Sequence, residues 1–379
     1  MIETIKNNSE WINRTWEKID SKFSKVAIKS RNKLPYTTIN GVHDDKSKTQ
    51  VDWWTNGFWG GMMWLMYEAT KNDEYRTTAE TSEKLLDKAL EDYKKLNHDV
   101  GFMWHLTSGA NYRLTGNHSS YNKNLYVASV LMSRYNLNGG YIRAWNGEAD
   151  VGWSIIDCMM NIPLLYWASR EIGDSRFKQV AMKHADMTIR DHIRSDGSVN
   201  HIVEHDPNTG EMITAHRGQG YSVDSCWSRG LAWAVYGTVL SYIHTGKEDY
   251  LAAAIKTADY FVENIEQFNY KTPIDFRMPK TDEYYDSTAG VCTACGLLEI
   301  AKYVSLDKAK VYVETAIQVL KATDKYFCNY SEDEDSLVQM GSARYPHNNR
   351  NDLHIPIIYG DFFFVEALYK LKGNQFLIW

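Results

Sequence analysis

Apolar residues recur at three- and four-residue spacing along most of the chain. This periodicity predicts about twelve helices, over residues 9–28, 57–70, 74–96, 102–114, 121–135, 149–171, 176–192, 226–245, 250–268, 287–305, 308–327 and 361–371. The stretch 149–171 stands apart because Trp153, Ile155, Ile156, Met159, Met160, Ile162, Leu164, Leu165 and Trp167 leave it apolar on nearly every face. A helix apolar all round is a buried one, and Asp157 lies in its middle, on one i, i+4, i+8 row with Trp153 and Asn161. A buried carboxyl must be paired, hydrogen-bonded or protonated. Since burial favours the neutral acid, and general acid catalysis needs a proton still held near neutral pH, Asp157 is the first candidate for chemistry. A structural role, accepting bonds from a neighbouring turn, competes with it on the pattern alone.

Between the helices runs a recurring punctuation, in which a Gly/Asn/Asp turn is followed by an aromatic residue. It appears as Lys71-Asn-Asp-Glu-Tyr75, Gly116-Asn-His-Ser-Ser-Tyr121, Gly173-Asp-Ser-Arg-Phe177, Gly246-Lys-Glu-Asp-Tyr250 and Gly373-Asn-Gln-Phe376, with Ser305-Leu-Asp307 as a weaker copy. A C-terminal Gly followed by a polar N-cap joins two antiparallel helices tightly. Six such hairpins make a repeat architecture, either a linear solenoid or a ring of six inner and six outer helices. Their uneven spacing places long insertions at 34–54, 136–152, 194–225, 270–286 and 331–360, which in repeat folds gather on one face, often the binding face. One of them reads as a β-hairpin, with strands at 198–204 and 212–214 about an Asp206–Gly210 turn, presenting His201 on an exposed ribbon beside the site.

Composition narrows the picture. The 379 residues are expected to form one catalytic domain over 1–379, and a 44% hydrophobic content supports a large core. With 13 Trp and 25 Tyr, the aromatic content exceeds what packing requires and suggests a site that stacks sugar rings. A net charge of −6 without a basic run excludes a nucleic-acid footprint, so an anionic substrate must be held by local cations. The N-terminal stretch Met1–Asn8 lacks an apolar leader core and no run reaches membrane-span length, so a soluble, cytoplasmic protein without a membrane partner is expected. Five cysteines, an odd number mostly inside apolar helical patterns, read as free thiols, and Cys292-Thr-Ala-Cys295 as core. His201, His205 and Asp206 lack metal-ligand spacing, and no phosphate loop or nucleophile elbow occurs, so neither a metal nor a cofactor is expected.

A second acid, Asp99, stands in Asn97-His-Asp-Val-Gly-Phe-Met-Trp104, one hairpin before Asp157. It fits an N-cap for 102–114, yet in a ring both acids could face one mouth, and two carboxylates in divergent environments are the usual equipment for glycosidic chemistry. The segment Gln219 to Trp233 adds an amide, Arg229 and two indoles, Trp227 and Trp233, at a helix start, and Arg229 could offer a carboxylate its planar fork. Trp54 and Trp145 lie in similar company.

Together, Trp54-Thr-Asn-Gly-Phe-Trp-Gly-Gly61, His98-Asp-Val-Gly-Phe102, Ile155-Ile-Asp-Cys-Met-Met-Asn161, Asp196-Gly-Ser198 leading to His201, Gln219 through Trp233, and Ile358 through Leu368 resemble the unsaturated glucuronyl hydrolases, glycoside hydrolase family 88. The resemblance covers nearly the whole chain in order. It implies an all-α (α/α)6 barrel and an unsaturated uronate oligosaccharide as substrate, the product of a polysaccharide lyase. It implies hydration of the C4–C5 double bond to a hemiketal that opens and releases the next sugar. Asp157 would then protonate C4 and activate water, with Asp99 as the second acid. His201, Gln219 and Arg229 would hold the uronate, and Trp54, Trp145, Trp227 and Trp233 would form aromatic walls. Members favouring sulfated substrates resemble a Ser-x-x-Ser-x-Lys pocket, where this chain reads Ser342-Ala-Arg-Tyr345-Pro-His347. Ser342 and Tyr345 are its remaining candidates for substrate contact, and sulfate preference is weakened. An unsaturated rhamnogalacturonyl hydrolase acting on pectin fragments, and a non-catalytic sugar-binding helical-repeat protein, are the competing readings. The oligomeric state is left open, with a monomer compatible.

Overall fold

Left-handed glycines stop the inner helices where the turn pattern asks for them. In the computed structural model, which describes residues 2–379, Gly116, Gly173 and Gly246 have φ near +70°, and the side chains of Asn72, Asn117 and Asp174 accept a backbone N–H from the first turn of the following helix. Met1, the first residue of the stretch read for a leader, lies outside the described residues.

The elements are α1 (Ile2–Asn7), α2 (Ser9–Lys29), β1 (Thr38–Ile39), β2 (Val42–His43), α3 (Lys46–Thr49), α4 (Asn56–Thr70), α5 (Asp73–Leu86), then a π-helix Gly101–Gly109 continuing as α6 (Ala110–Thr115). They are followed by α7 (His118–Ser133), β3 (Trp153–Ile155), α8 (Pro163–Ile172), α9 (Ser175–Asp191), β4 (Ile202–His205), β5 (Met212–His216) and α10 (Ser228–Thr245). The chain ends with α11 (Glu248–Ile265), α12 (Ser287–Ile300), α13 (Leu306–Tyr326) and α14 (Ile358–Leu371). The inner elements α4, the π-helix with α6, α8, α10, α12 and α14 each pack on the next, and α14 returns to α4, closing a ring. Every residue of α12 is buried. The outer helices carry a single stripe instead, as in α9, where Phe177, Ala181, His184, Ala185 and Thr188 face inward. This is the all-α (α/α)6 barrel.

Two expectations are corrected. The turn at Gly373 is not a hairpin, because the chain continues as a tail and the sixth outer position is taken by α2, which packs on α14 and α5. That tail enters the ring. Trp379 is 2% exposed, lies 6.0 Å from Phe363 at an interplanar angle of 9°, and donates Nε1–H to Glu366 at 3.1 Å, while Arg113 holds the carbonyls of Leu377 and Ile378. Second, residues 149–171 are not one helix. Pro163 occupies the first turn of α8, where its missing N–H costs nothing. The β-branched Ile155 ends a strand that pairs with β4.

Cys292 and Cys295 are buried in α12, with thiols that burial pushes well above their ordinary range. No helix among the described residues is long and apolar enough to cross a membrane.

Burial drives several imidazoles toward the neutral form, to about 3 for His43 and His244, to about 4 for His192, and well below the ordinary value for His105 and His184. The unfolded chain takes up these protons near pH 6.5 and the folded one does not, so stability falls as pH drops from about 6.5 toward 4. Each group contributes about 1.4 kcal/mol per pH unit in that window, and Asp361, whose carboxyl burial pushes up to about 7, takes up its proton in the folded state there and offsets one of them. Chemical denaturation at pH 7, 6 and 5 should therefore show a steep loss of stability, and an unchanged midpoint would contradict it.

Candidate active site

Antiparallel pairing of β3 with β4 sets the first contact of the site. The register Trp153↔Glu204, Ser154↔Val203, Ile155↔Ile202 continues by one bond, Ile156 N–H to His201 O at 3.1 Å. Asp157 follows in a 3₁₀ turn over Ile156–Met160 and so lands beside His201, whose Nε2 is 3.4 Å from Asp157 Oδ1. Both atoms are buried and neither has another partner. The distance is long for a hydrogen bond, as is common in catalytic pairs without substrate.

The backbone N–H of Gln219 donates to His201 Nδ1 at 2.9 Å. A nitrogen that accepts is unprotonated in neutral imidazole, so Nε2 carries the hydrogen and presents it to Asp157. Trp227 lies against the ring at 4.3 Å between centroids. His201 is 5% exposed. It is therefore not on an exposed ribbon as expected, because β3 covers the hairpin and turns it into a three-stranded sheet.

The row Trp153, Asp157, Asn161 is likewise not a helical face. Asn161 instead donates to Asp157 O at 3.2 Å and accepts from Phe102 N–H at 2.7 Å. This cross-chain cap serves the start of the π-helix, and Gly101 permits it, since a Cβ there would lie 2.6 Å from Asn161 Cα. Because Asn161 supplies the cap, the side chain of Asp99 does not. Asp99 is 6% exposed and its Oδ1 is 3.1 Å from His98 Nε2. Burial is the largest single influence and pulls His98 down, but the charge and hydrogen bond of Asp99, the charge of Asp157 and the Ala144 carbonyl together outweigh it, so the net displacement is upward. The charges of both acids also help to raise the buried Cys158 thiol, with burial as the main cause. π-Helical stretches in inner helices recur at functional sites.

Trp54 leans on Tyr359 at 5.2 Å and Phe102 at 5.6 Å, while Trp145 stands edge-on to His98 at 5.8 Å and to Trp153 at 6.1 Å. Trp54 and Trp145 are part-exposed at the mouth. Trp233 is not a wall. It has no exposure and packs on Phe102 and Phe363, forming the floor beneath.

The expected fork of Arg229 is already engaged. Nη1 reaches Asp286 at 2.5 Å and Ser342 O at 2.6 Å, Nη2 reaches Ala343 O at 2.7 Å, and the guanidinium lies over Trp227 and Tyr359. Gln219 Nε2 donates to the same Ala343 carbonyl. The side chains of both Arg229 and Gln219 thus hold the loop at 342–343 rather than presenting free donors. Ser342 is fully buried, with its hydroxyl donating to Tyr285 O and accepting from His354 N–H. Tyr345 gives its hydroxyl to Asp282 and, with Tyr221, Tyr284 and His347, lines an aromatic cleft of about 560 Å³. Arg344 pairs with Asp352 at the surface. Asp286 and His98 were not singled out from the sequence, and Asn161 was named only as a member of the supposed helical row. His98 could have been, as the neighbour of a candidate acid, but the partners of the other two lie more than fifty residues away.

A sequence profile described as Glycosyl Hydrolase Family 88 matches residues 27–242. An unsaturated glucuronyl hydrolase of Bacillus sp. (strain GL1) is 33% identical over 336 residues, 86% of this chain and 88% of that protein. An unsaturated chondroitin disaccharide hydrolase of Streptococcus pneumoniae is 29% identical over 399 aligned positions, covering 100% and 98%. The crystal structure of the Bacillus sp. GL1 enzyme, described as responsible for the degradation of glycosaminoglycan, superposes with a TM-score of 0.87 at 30% identity, covering 94% of this chain and 97% of that one.

Proposed function

The chain belongs to glycosyl hydrolase family 88, and from that premise we propose that Asp157 and Asp99 act on the non-reducing-end 4,5-unsaturated glucuronate of a lyase-generated glycosaminoglycan disaccharide. The enzyme is a glycoside hydrolase, and its relatives carry the names of unsaturated glucuronyl and chondroitin disaccharide hydrolases. The observation that carries the assignment is the buried Asp157 facing the Nε2–H of a histidine whose tautomer a backbone amide sets.

His201 steadies Oδ1 of Asp157, leaving Oδ2 to work on the sugar. Oδ2 delivers a proton to C4 while water adds its oxygen to C5 and returns a proton to the carboxylate, so Asp157 ends as it began. The C5 hemiketal opens to a ketone. The freed ring oxygen leaves C1 as a hemiacetal of the next sugar, which collapses to an aldehyde and releases it. Trp54 and Trp145 flank the ring.

The loop carrying Ser342 and Tyr345 has both hydroxyls and Arg344 committed within the protein, while His347 and Arg350 line the cleft at Tyr345. The leaving sugar stacks against Tyr345 and its aromatic neighbours.

Turnover in oxygen-18 water, quenched early with borohydride, tests the chemistry. Label should appear at C5 of the uronate product and not at C1. Label entering C1 first would mean direct displacement at the glycosidic carbon and an ordinary glycosidase.

A further inference from the structure

His98 and His201 each set a ring nitrogen against an aspartate, yet their backbone partners differ in kind. His201 Nδ1 accepts the amide N–H of Gln219. His98 Nδ1 instead lies 2.8 Å from the carbonyl of Ala144, which also receives the His98 backbone N–H and an N–H of Arg134. A carbonyl only accepts, so His98 Nδ1 must carry a hydrogen. In neutral His98 the nitrogen facing Asp99 is then a lone pair, and a carboxylate oxygen 3.1 Å from a lone pair is repelled. One proton must lie between them, on either the imidazole or the carboxyl.

We propose that His98 is a positioning residue which keeps one proton between itself and Asp99, so that the buried Asp99 pair is electrically neutral when the anionic uronate enters. The two aspartates are made unlike by what each histidine's Nδ1 meets, an amide in one case and a carbonyl in the other. Losing the shared proton leaves a net negative charge beside the sugar carboxylate and weakens binding of the anion.

The other groups facing this pair are few. Asp157, whenever it is ionised, favours retention of the proton, and His184 is itself held neutral by burial. Arg134 and Cys158 act on the Asp99 side, the first with its guanidinium fixed on the carbonyls of Leu96, Arg143, Ala144 and Trp145, the second as a neutral thiol. Burial alone would discharge His98, and the neighbouring carboxylates reverse this. The proton belongs to the pair, which titrates as one unit.

The inference rests on the catalytic reading of Asp99. Beyond any limb that acid and ester share through Asp157, wild type should show an alkaline limb in kcat/KM confined to the free uronate. His98→Gln offers Asp99 an N–H that does not titrate. In that variant the limb should vanish, and KM for the free uronate should rise about ten-fold across the range, while KM for the methyl ester of the same disaccharide stays within about two-fold. An unchanged limb, or equal damage to acid and ester, would overturn the proposal. Should His98→Gln fail to fold, nitrogen-15 imidazole spectra of wild type decide. At pH 7.5 His98 should carry a proton on Nδ1, with Nε2 either protonated as well or accepting the proton of the Asp99 carboxyl, whereas a neutral ring protonated on Nε2 alone refutes the shared proton. Full activity of Asp99→Asn would remove Asp99 from catalysis altogether. An inactive Asp99→Asn beside an unaltered His98→Gln profile would sink this inference alone.

Discussion

Asp157→Asn is expected to lower turnover by about three powers of ten or more and to leave both the fold and substrate binding nearly intact. Asn has the same shape and its side-chain oxygen still faces His201 Nε2–H, while the β3–β4 register that carries the residue is made by backbone groups. Only the proton is lost. A positioned acid or base contributes about 10²- to 10⁴-fold, and here one carboxyl must both give a proton to C4 and take one from water, which puts the loss toward the upper end. Loss of the unsaturated-uronate absorbance measures the rate, and quenching of the mouth tryptophans measures binding. A variant within ten-fold of wild type would take Asp157 out of the mechanism.

Arg229→Ala should cost about 3–5 kcal/mol of stability, the range for removing one partner of a buried ion pair. Asp286 has no exposure. Besides Arg229 it accepts from Thr288 at the start of α12 and from Ser342 N–H, so the arginine ties α10, α12 and the 342–343 loop together. The kinetic damage should then be the same for the free uronate and its methyl ester, because the two terminal nitrogens are spent on the protein. Arg229→Lys should recover little, since a point charge cannot reach a carboxylate and two carbonyls at once. Arg229 Nε alone is without a partner. Loss confined to the free acid, with unfolding unchanged, would mean that the substrate carboxylate is bound there after all.

The helices were legible because their cause is local. The stripe on α9 and the glycine stops after α6, α8 and α10 depend on residues within a turn or two of one another, and they stand within a few residues of the expected bounds. The error at 149–171 arose from reading hydrophobicity without its partner. A strand buried on both faces and a buried helix look alike in sequence, and only β4, some fifty residues on, tells Trp153–Ile155 which to be. Pro163 was the one local sign of a boundary. Asp157 drew attention for a reason that survives this error, since a carboxyl in so apolar a stretch must be accounted for whatever the backbone does. The cap from Asn161 and the grip of Asp286 on Arg229 were beyond reach, because each joins loops whose juxtaposition only the closed ring creates.

That ring is closed by its two ends. Helix α2 lies on α14, Trp11 donates to Asp324, and the side chain of Lys22 reaches the carbonyl of Ser331, contacts spanning more than 300 residues. During synthesis, α2 can meet α5 early, but its contact with α14 must wait for nearly the whole chain to be made. Five inner elements meanwhile stand as an open crescent, with Phe58, Phe102 and Trp233 facing water instead of Phe363 and Trp379. Such late, long-range closure slows folding and leaves an aromatic surface on the nascent chain for other chains to find. Assembly of this barrel is thus governed by the emergence of α14, and a translational pause just before Ile358 would prolong the aggregation-prone interval more than a pause after any earlier hairpin.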